Sequence, residues 1–278
     1  MIFEKIGYGT EEFLVCESSE IPLIEAELKK GNEKYSYIYL NSYKGYEWDN
    51  IIWLLAYKDR IKGLVIVGEQ IDIYGIDQFE NLEVLVFSET NEYAIDFSVF
   101  SKLKECRITW STKYKNLDQC LLLEVLSIRK FKSTTKSRNQ LSKLYNLKEL
   151  KFVQGNIKDL DFIAKLEKLE IFEGHYQTKL ENIEALGSLK SLKRVVLYTC
   201  RKVLDYKALG SLVGLSYLMI AECSKMDSLE FIKEMKDLDF LSFYDTLVED
   251  GDLSFCVGIK TVTFDDRKHY SHRCEEFN

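Results

Sequence analysis

Apolar residues recur along most of this 278-residue chain in one short phrase. In Leu147-x-x-Leu150-x-Phe152, as in the other copies, a second apolar residue comes three positions after the first, and a third comes two positions later. The copies begin at Ile61, Leu82, Leu103, Leu123, Leu147, Leu166, Leu192, Leu215, Leu238 and Ile259. A period of roughly 20–29 residues indicates a repeat architecture, in which each copy is one structural unit.

The last two apolar positions of each phrase predict a short strand, because successive side chains of a strand point to opposite faces. One such unit cannot bury its apolar side alone, so the units should stack and their strands should pair in parallel. A helix is not predicted, since positions i, i+3 and i+5 do not form one helical stripe. On this register we expect burial of Leu85, Leu126, Leu150, Leu169, Leu218 and Leu241. We expect outward side chains at Lys151, Glu170 and Tyr217.

A second apolar set follows most strands, most clearly between Ile157 and Leu166, and should form short 3₁₀ or α turns. Over about residues 36–265, the phrase and these return segments resemble the short repeats of the bacterial internalin-like leucine-rich repeat class. The resemblance implies an α/β fold, namely a leucine-rich repeat solenoid with a parallel concave sheet and short 3₁₀/α convex segments. About ten to eleven repeats are expected. The asparagine ladder of the class is mostly missing, and its positions hold Glu69, Thr90, Phe131, Gly155, Gly174, Cys200, Cys223 and Thr246.

We predict a single leucine-rich repeat domain over residues 1–278, with a cap at 1–34, repeats at 35–265 and a tail at 266–278. In the cap, residues 13–16 predict a strand. Pro22 marks the first turn of a helix whose stripe is Ile21, Ile24 and Leu28. The tail should fold back over the last repeat through Tyr270.

Composition adds expectations about compartment and charge. The N-terminus has no signal-peptide pattern and no run approaches the ~18 apolar residues of a membrane span, so a cytoplasmic monomer without membrane contact is expected. The seven cysteines are then read as thiols.

The chain carries a net charge of −7, yet residues 113–143 hold eight basic and two acidic residues. This segment is either a solvated loop or a contact for an acidic or phosphate-bearing partner. Nucleic acid is not expected as the main ligand of an acidic chain.

The outward strand positions carry the candidate binding residues, because the concave face is the usual binding surface of such repeats. Aromatic residues, Met and Arg are enriched where proteins bind each other. We therefore predict a partner-binding face formed by Arg107, Arg129, Lys151, Phe172, Arg194, Tyr198, Tyr217, Met219, Phe240 and Tyr244. The alternative is that these aromatic residues only reflect strand preference and ordinary surface exposure.

Motifs for catalysis or cofactor binding are absent from the sequence, so we expect no enzyme activity and no cofactor. His269, His272 and Cys274 could ligate zinc, but their spacing fits no common pattern and no metal is expected.

The function favoured is protein–protein interaction. The chain also resembles small bacterial leucine-rich repeat immunity proteins, which implies a protein that neutralises a cognate toxin. The alternatives are an effector or scaffold that binds a host or cellular protein, and a hydrolase or transferase hidden in the tail or cap.

Overall fold

The computed structural model describes residues 1–68, 70–88 and 93–277. The chain forms two compact units, Met1–Arg129 (unit 1) and Lys130–Asn278 (unit 2). The single domain stays a prediction. Two of the expected ladder positions, Glu69 and Thr90, lie outside the described residues.

Unit 1 is built on parallel strands that follow one another in chain order. Strand β1 (Ile2–Glu4) pairs antiparallel with β2 (Phe13–Cys16), and every later pairing in the unit is parallel among the described residues. The later strands are β3 (Tyr37–Asn41), β4 (Gly63–Val67), β5 (Val84–Phe87), β6 (Glu105–Thr109) and the start of β7 (Val125–Phe131). The connections include 3₁₀ helices at Ser18–Glu20, Glu33–Ser36, Ser42–Lys44, Ile52–Arg60, Ile76–Gln78, Phe97–Val99 and Leu117–Gln119.

Helix α1 (Ile21–Lys30) forms as the sequence predicts. Pro22 lies in its first turn, where a missing N–H costs no hydrogen bond. Ile21, Ile24 and Leu28 are its buried stripe. Gly31 ends the helix in the left-handed conformation with φ of 78°, which a residue without Cβ adopts freely.

The register of unit 1 confirms the repeated phrase. The first inward position of each strand aligns in the series Leu64, Leu85, Cys106, Leu126. The second aligns in the series Ile66, Phe87, Ile108, Ile128. All of these side chains are buried, so the successive repeats of unit 1 share one apolar core, as stacking requires.

Unit 2 continues the same pattern with different side chains. Its parallel sheet contains β8 (Glu149–Gly155), β9 (Ile171–His175), β10 (Arg194–Tyr198), β11 (Tyr217–Ala221), β13 (Phe240–Ser242) and β15 (Thr261–Thr263). A small second sheet pairs β12 (Lys225–Met226) with β14 (Leu247–Val248). Helix α2 spans Thr135–Leu141, and 3₁₀ helices occupy Asp161–Ile163, Glu184–Ser188, Lys207–Ser211, Glu230–Ile232, Ser254–Cys256 and Cys274–Phe277.

Strand β9 corrects the predicted register by three residues. Phe172 is the residue that pairs with Leu150 on one side and Val195 on the other, and it is buried. Leu169 is buried as expected, but it holds the anchoring position before the strand. The phrase in this repeat therefore starts at Leu169 and not at Leu166. The prediction that Phe172 points outward is wrong.

Left-handed residues lie near the end of, or shortly after, β7, β8, β9, β10, β11 and β13. Positive φ values between 47° and 60° occur at the non-glycine residues Lys130, Gln154, Tyr176, Thr199, Glu222 and Asp245. The next residue turns inward and takes the ladder position, which in the repeat of β9 is Gln177 and not Gly174.

Two of the inward ladder residues bond to the backbone of an earlier strand through their thiols. Cys200 Sγ donates to the carbonyl of Gly174 at 3.3 Å, and Cys223 Sγ donates to that of Leu197 at 3.4 Å. The two thiols thus cap backbone carbonyls at these ladder positions.

The basic segment is more ordered than a solvated loop. Thr134 begins α2 with a capping box in which its side chain accepts from Ser137 N and Ser137 Oγ accepts from Thr134 N. Arg138 makes two hydrogen bonds to Asp159, of 3.0 and 2.5 Å. Lys130, Lys132 and Lys136 remain exposed.

The tail folds back as predicted. Tyr270 is buried, its hydroxyl accepts from Val248 N at 3.0 Å, and its ring lies 5.8 Å from that of Phe264. His269 Nε2 lies 3.0 Å from the Val248 carbonyl oxygen. The tail thus covers the last layer of the core. None of the helices in the described part of the chain is both long and apolar enough to span a membrane.

The cysteines allow a chemical test of this packing. Burial raises the pKa of the Cys200 thiol to about 12 and that of Cys223 to about 11, and Cys106 is also fully buried. In the folded protein these thiols should therefore react slowly with a disulfide reagent, because both access and thiolate are scarce. Cys274, which is partly exposed, should react first. Peptide mass spectrometry with time, with and without denaturant, checks this, and fast labelling of Cys106 without denaturant would contradict it.

Candidate functional site

The outward side chains of unit 2 form ordered rows across its sheet, and this surface is called the open face below. One row contains Glu149, Ile171, Arg194, Tyr217, Phe240 and Thr261. The next contains Lys151, Glu173, Val196, Met219, Ser242 and Thr263. The third contains Val153, His175, Tyr198 and Ala221. Strand pairing in register brings together residues that are more than twenty positions apart in the sequence.

Three neighbours in the first row form a layered stack. The rings of Tyr217 and Phe240 are nearly parallel, with an interplanar angle of 5° and centroids 4.2 Å apart. The guanidinium carbon of Arg194 lies 3.8 Å from the centroid of the Tyr217 ring. We call these residues the Arg194 stack. A guanidinium on an aromatic face is attracted by the ring quadrupole, so the stack holds three large side chains in fixed positions.

Glu173 lies next to the stack and binds three basic side chains. Its carboxylate accepts from Lys151 Nζ at 2.8 Å, His175 Nε2 at 2.9 Å and Arg194 Nε at 3.0 Å. These hydrogen bonds, the one with His175 first, hold the pKa of the Glu173 carboxyl well below its usual range, against the opposing effect of burial. The carboxylate therefore stays charged at neutral pH and fixes the positions of the three basic side chains around it.

A second polar contact orients Tyr198. Its hydroxyl donates to Glu222 Oε1, and Thr199 Oγ1 donates to Glu222 Oε2 at 3.1 Å. The hydrogen bond to Glu222 raises the pKa of Tyr198 to about 12. Tyr176 packs edge-on against the Tyr198 ring at 5.3 Å. Glu222 and Tyr176 both occupy left-handed positions after a strand, so this backbone feature supplies the side chains that hold Tyr198.

Most of the predicted partner residues lie on this face, but Arg107, Arg129 and Phe172 do not. Those brought together on its strands are Lys151, Arg194, Tyr198, Tyr217, Met219 and Phe240. Tyr244 follows β13 and is 54% exposed. Arg129 is an exposed residue of β7 in unit 1. Phe172 is buried in the core and therefore does not belong to the face.

Sequence reasoning also missed contributors to the face. Glu173 and His175 fell outside the predicted outward positions because the phrase of β9 was begun one leucine too early. His175 lies at the end of β9 and contacts Glu173. Beginning the phrase at Leu169 would have found both residues.

The equivalent face of unit 1 is covered. Residues 5–12, called the N-terminal strap below, run over it without regular secondary structure. Ile6 and Tyr8 of the strap pack against a buried apolar cluster of outward strand residues. That cluster contains Phe13, Val15, Tyr39, Val65, Val84 and Val86. The outward positions of β2–β5 thus form a second core and not a free surface.

A polar contact fixes the strap at one end. Gly9 N donates to Glu105 Oε2 at 2.6 Å, and Arg107 Nε donates to Glu105 Oε1 at 2.5 Å. The Arg107 guanidinium also lies 5.5 Å from the Tyr8 ring centroid. Gly9 has a φ of 61°, and a Cβ there would lie 3.0 Å from Val84, so the site requires glycine. The sequence predicted that Arg107 contacts a partner. In the structure its guanidinium contacts Glu105 and Tyr8 of the same chain.

No protein-family model and no curated protein matches the chain. Solved structures do match it. An internalin, InlF, from Listeria monocytogenes strain 4b F2365 has a TM-score of 0.55 and 15% sequence identity, covering 85% of this chain and 77% of its own. The fold is that of a leucine-rich repeat protein. Internalin C2 from the same strain agrees, with a TM-score of 0.51, 18% identity and coverage of 76% and 84%.

This leucine-rich repeat fold presents a surface and does not dictate a chemistry. Among the described residues, no group of three or more His, Cys, Asp or Glu side chains is placed to hold a metal ion. His272 Nδ1 lies 2.8 Å from Ser271 Oγ, and Cys274 Sγ donates to the Val262 carbonyl at 3.6 Å. These tail residues therefore contribute to packing at the end of unit 2.

Glu173 should make stability depend on acid pH. Because its pKa is lower in the folded than in the unfolded chain, its contribution is fully present above the unfolded value of about 4.3 and is lost as pH falls towards the folded value. The stability gap between the wild type and Glu173→Gln should therefore narrow from pH 6 to about pH 3. Urea unfolding at several pH values measures it. Glu170→Gln, at an exposed neighbour, is the control, and a gap that stays constant with pH would contradict the expectation.

Proposed function

We propose that this protein is a non-enzymatic binding module that holds one protein partner on the open face of unit 2. The observation that carries the proposal is the Arg194 stack, whose three side chains remain partly exposed to solvent. The corresponding face of unit 1 is sealed by the N-terminal strap. A chain that covers one apolar face and leaves the aromatic residues of the other in contact with solvent is arranged for a partner.

The side chains of the open face suit an interface core. Tyr and Arg dominate interface hot spots, and Met adapts its shape to a partner. Here Tyr217, Phe240 and Arg194 are held by stacking, and Tyr198 is held by its bond to Glu222. Preorganised side chains lose little conformational entropy on binding, so more of the contact energy appears as affinity.

The finer proposal is an immunity protein that neutralises a cognate bacterial toxin. A toxin must be captured quickly and released slowly. Ordered aromatic anchors slow dissociation, and segregated charge speeds encounter. Exposed Lys130, Lys132 and Lys136 concentrate positive charge at the start of unit 2. The repeat fold supplies the broad surface that an inhibitor of this kind needs.

A growth-rescue assay tests this function directly. The protein encoded next to this one in its genome is expressed alone and together with this chain in a host cell. The expected result is growth arrest by the neighbour alone, rescue by the wild type and by Tyr145→Ala, and weak rescue by Tyr217→Ala. Tyr145 is an exposed tyrosine outside the face, which makes it a matched control. Failure of the wild type to rescue or to form a complex would remove the immunity proposal, and capture of a host protein by the same face would favour the effector alternative.

The lysines at the start of unit 2 should affect association more than dissociation. Changing Lys130, Lys132 and Lys136 to glutamine should slow association and weaken its salt dependence, because rim charges act mainly by steering. Surface plasmon resonance at two ionic strengths separates the two rates. The matched control replaces Lys165, Lys179 and Lys236, which are exposed elsewhere in unit 2. A change confined to the dissociation rate would argue that the lysines touch the partner.

A further inference from the structure

We propose that the partner places a carboxylate on the guanidinium of Arg194, beside an apolar or aromatic side chain that packs on Tyr217 and Phe240. The inference rests on the proposed function, since it names the chemistry by which the open face recognises its partner. It specifies an acidic residue next to an apolar one in the contacting segment.

The hydrogen bonds of Arg194 leave donors for a partner. A guanidinium carries five N–H donors in a planar fork. The Nε of Arg194 donates to Glu173, and the nearby hydroxyl of Tyr217 is a second interaction. The remaining donors belong to the terminal nitrogens, and the Arg194 side chain is 35% exposed to solvent. These donors form hydrogen bonds to water for as long as the face is open.

Binding on the stack would take that water away. Arg194 contacts Tyr217, so a partner that covers the Tyr217 and Phe240 rings also covers the guanidinium. Burying the terminal N–H donors of this charged group without an acceptor carries a large desolvation penalty, which would offset the gain from the aromatic contacts. The partner must therefore bring an acceptor to Arg194.

The balance of charge around Arg194 favours a carboxylate over a neutral carbonyl. Glu173 is the acidic residue in contact with Arg194, and it is shared with Lys151 and His175. One carboxylate thus serves two permanent cations. Glu149 lies in the same row, but Ile171 of β9 separates it from Arg194 at two strand spacings, about 10 Å. A carboxylate can also bond both arms of the guanidinium at once, which a single carbonyl oxygen does less well.

The surface beside this site defines the neighbouring residue. Tyr217, Phe240 and Met219 are partly exposed, and Val196 beneath them is buried. On its other side, Phe240 is paired with Thr261, which has a small side chain. An aromatic or large aliphatic side chain next to the partner's acidic residue would cover this apolar surface.

Two matched dipeptides test the inference without knowledge of the partner. N-acetyl-aspartyl-phenylalanine amide and its asparaginyl analogue are titrated into the whole protein, with NMR of the Met219 methyl group as the readout. The aspartyl probe should bind about threefold more tightly or better, as expected for one ion pair on a partly exposed site. Arg194→Gln should remove the preference, whereas Arg194→Lys should keep part of it. Arg201→Gln, at an exposed arginine outside the face, should leave it unchanged.

The outcomes separate this inference from the proposed function. Equal binding of the two probes, no shift with either probe up to its solubility, or a preference that survives Arg194→Gln would each overturn the carboxylate site. Circular dichroism of the variants excludes unfolding as the cause. If Tyr217→Ala still abolishes partner binding in that case, the binding face stands and only the carboxylate is wrong. If the probes discriminate but no partner is found, the carboxylate site stands without the immunity function.

Discussion

Replacing Leu218 with alanine should lower the free energy of unfolding by about 2–5 kcal/mol. Leu218 is fully buried in β11 and lies between Val195 and Leu241 in the inward series. The substitution removes apolar contacts and leaves a cavity that the strands cannot close, because parallel pairing on both sides fixes their spacing. Urea unfolding followed by circular dichroism measures the loss.

A matched control separates this effect from a general sensitivity of unit 2. Val213 is 59% exposed, so Val213→Ala should change the free energy by less than about 0.5 kcal/mol. Hydrogen exchange should show the loss of protection in Leu218→Ala concentrated in β10, β11 and β13, since repeats depend on their immediate neighbours. A loss of less than about 1 kcal/mol would contradict the assigned packing.

Removing the aromatic anchors should weaken the complex with the partner by about 2 kcal/mol or more, which is roughly a thirtyfold rise in Kd. We expect this of Tyr217→Ala, Phe240→Ala and Tyr198→Ala. The first two break the Arg194 stack, and the third removes the ring held by Glu222. Titration calorimetry against the isolated partner measures the change.

These variants should stay folded, because their side chains contribute to the open face and not to the inward series. Circular dichroism and thermal unfolding are the folding controls, and Tyr145→Ala is the binding control. Full-strength binding by all three variants would place the interface elsewhere on the chain.

The sequence predicted most of the repeat register because the phrase depends on local apolar spacing. It also predicted α1, whose Pro22 and Gly31 mark the two ends. It failed at β9, where Leu166, Leu169 and Phe172 are spaced three apart. The first two positions of the phrase therefore fit in two registers, and the observed register has Gly174 instead of an apolar residue at the third position. Only the neighbouring strands decide between them, since Phe172 completes the layer formed by Leu150 and Val195.

The binding face could be predicted only in part. Regular strand pairing explains why Arg194, Tyr217 and Phe240 lie together, and this followed from the repeat. The strap could not be predicted from the repeat, because the hydrogen bond from Gly9 N to the Glu105 side chain joins residues 96 positions apart. A signal did exist in the almost continuous apolar run of β4 and in that of β5. Such runs are typical of strands buried on both faces.

Because the strap covers the outward strand positions of unit 1, the two units should differ in how well their outward positions tolerate substitution. Positions such as Val65 and Val84 point away from the main core yet must fit the residues that cover them, so a randomised library there should yield mostly unfolded chains. Positions 194, 217 and 240 carry no such demand, and variation there can alter what is recognised while the fold is kept. New specificities should therefore be selected from unit 2, with unit 1 kept as a constant support.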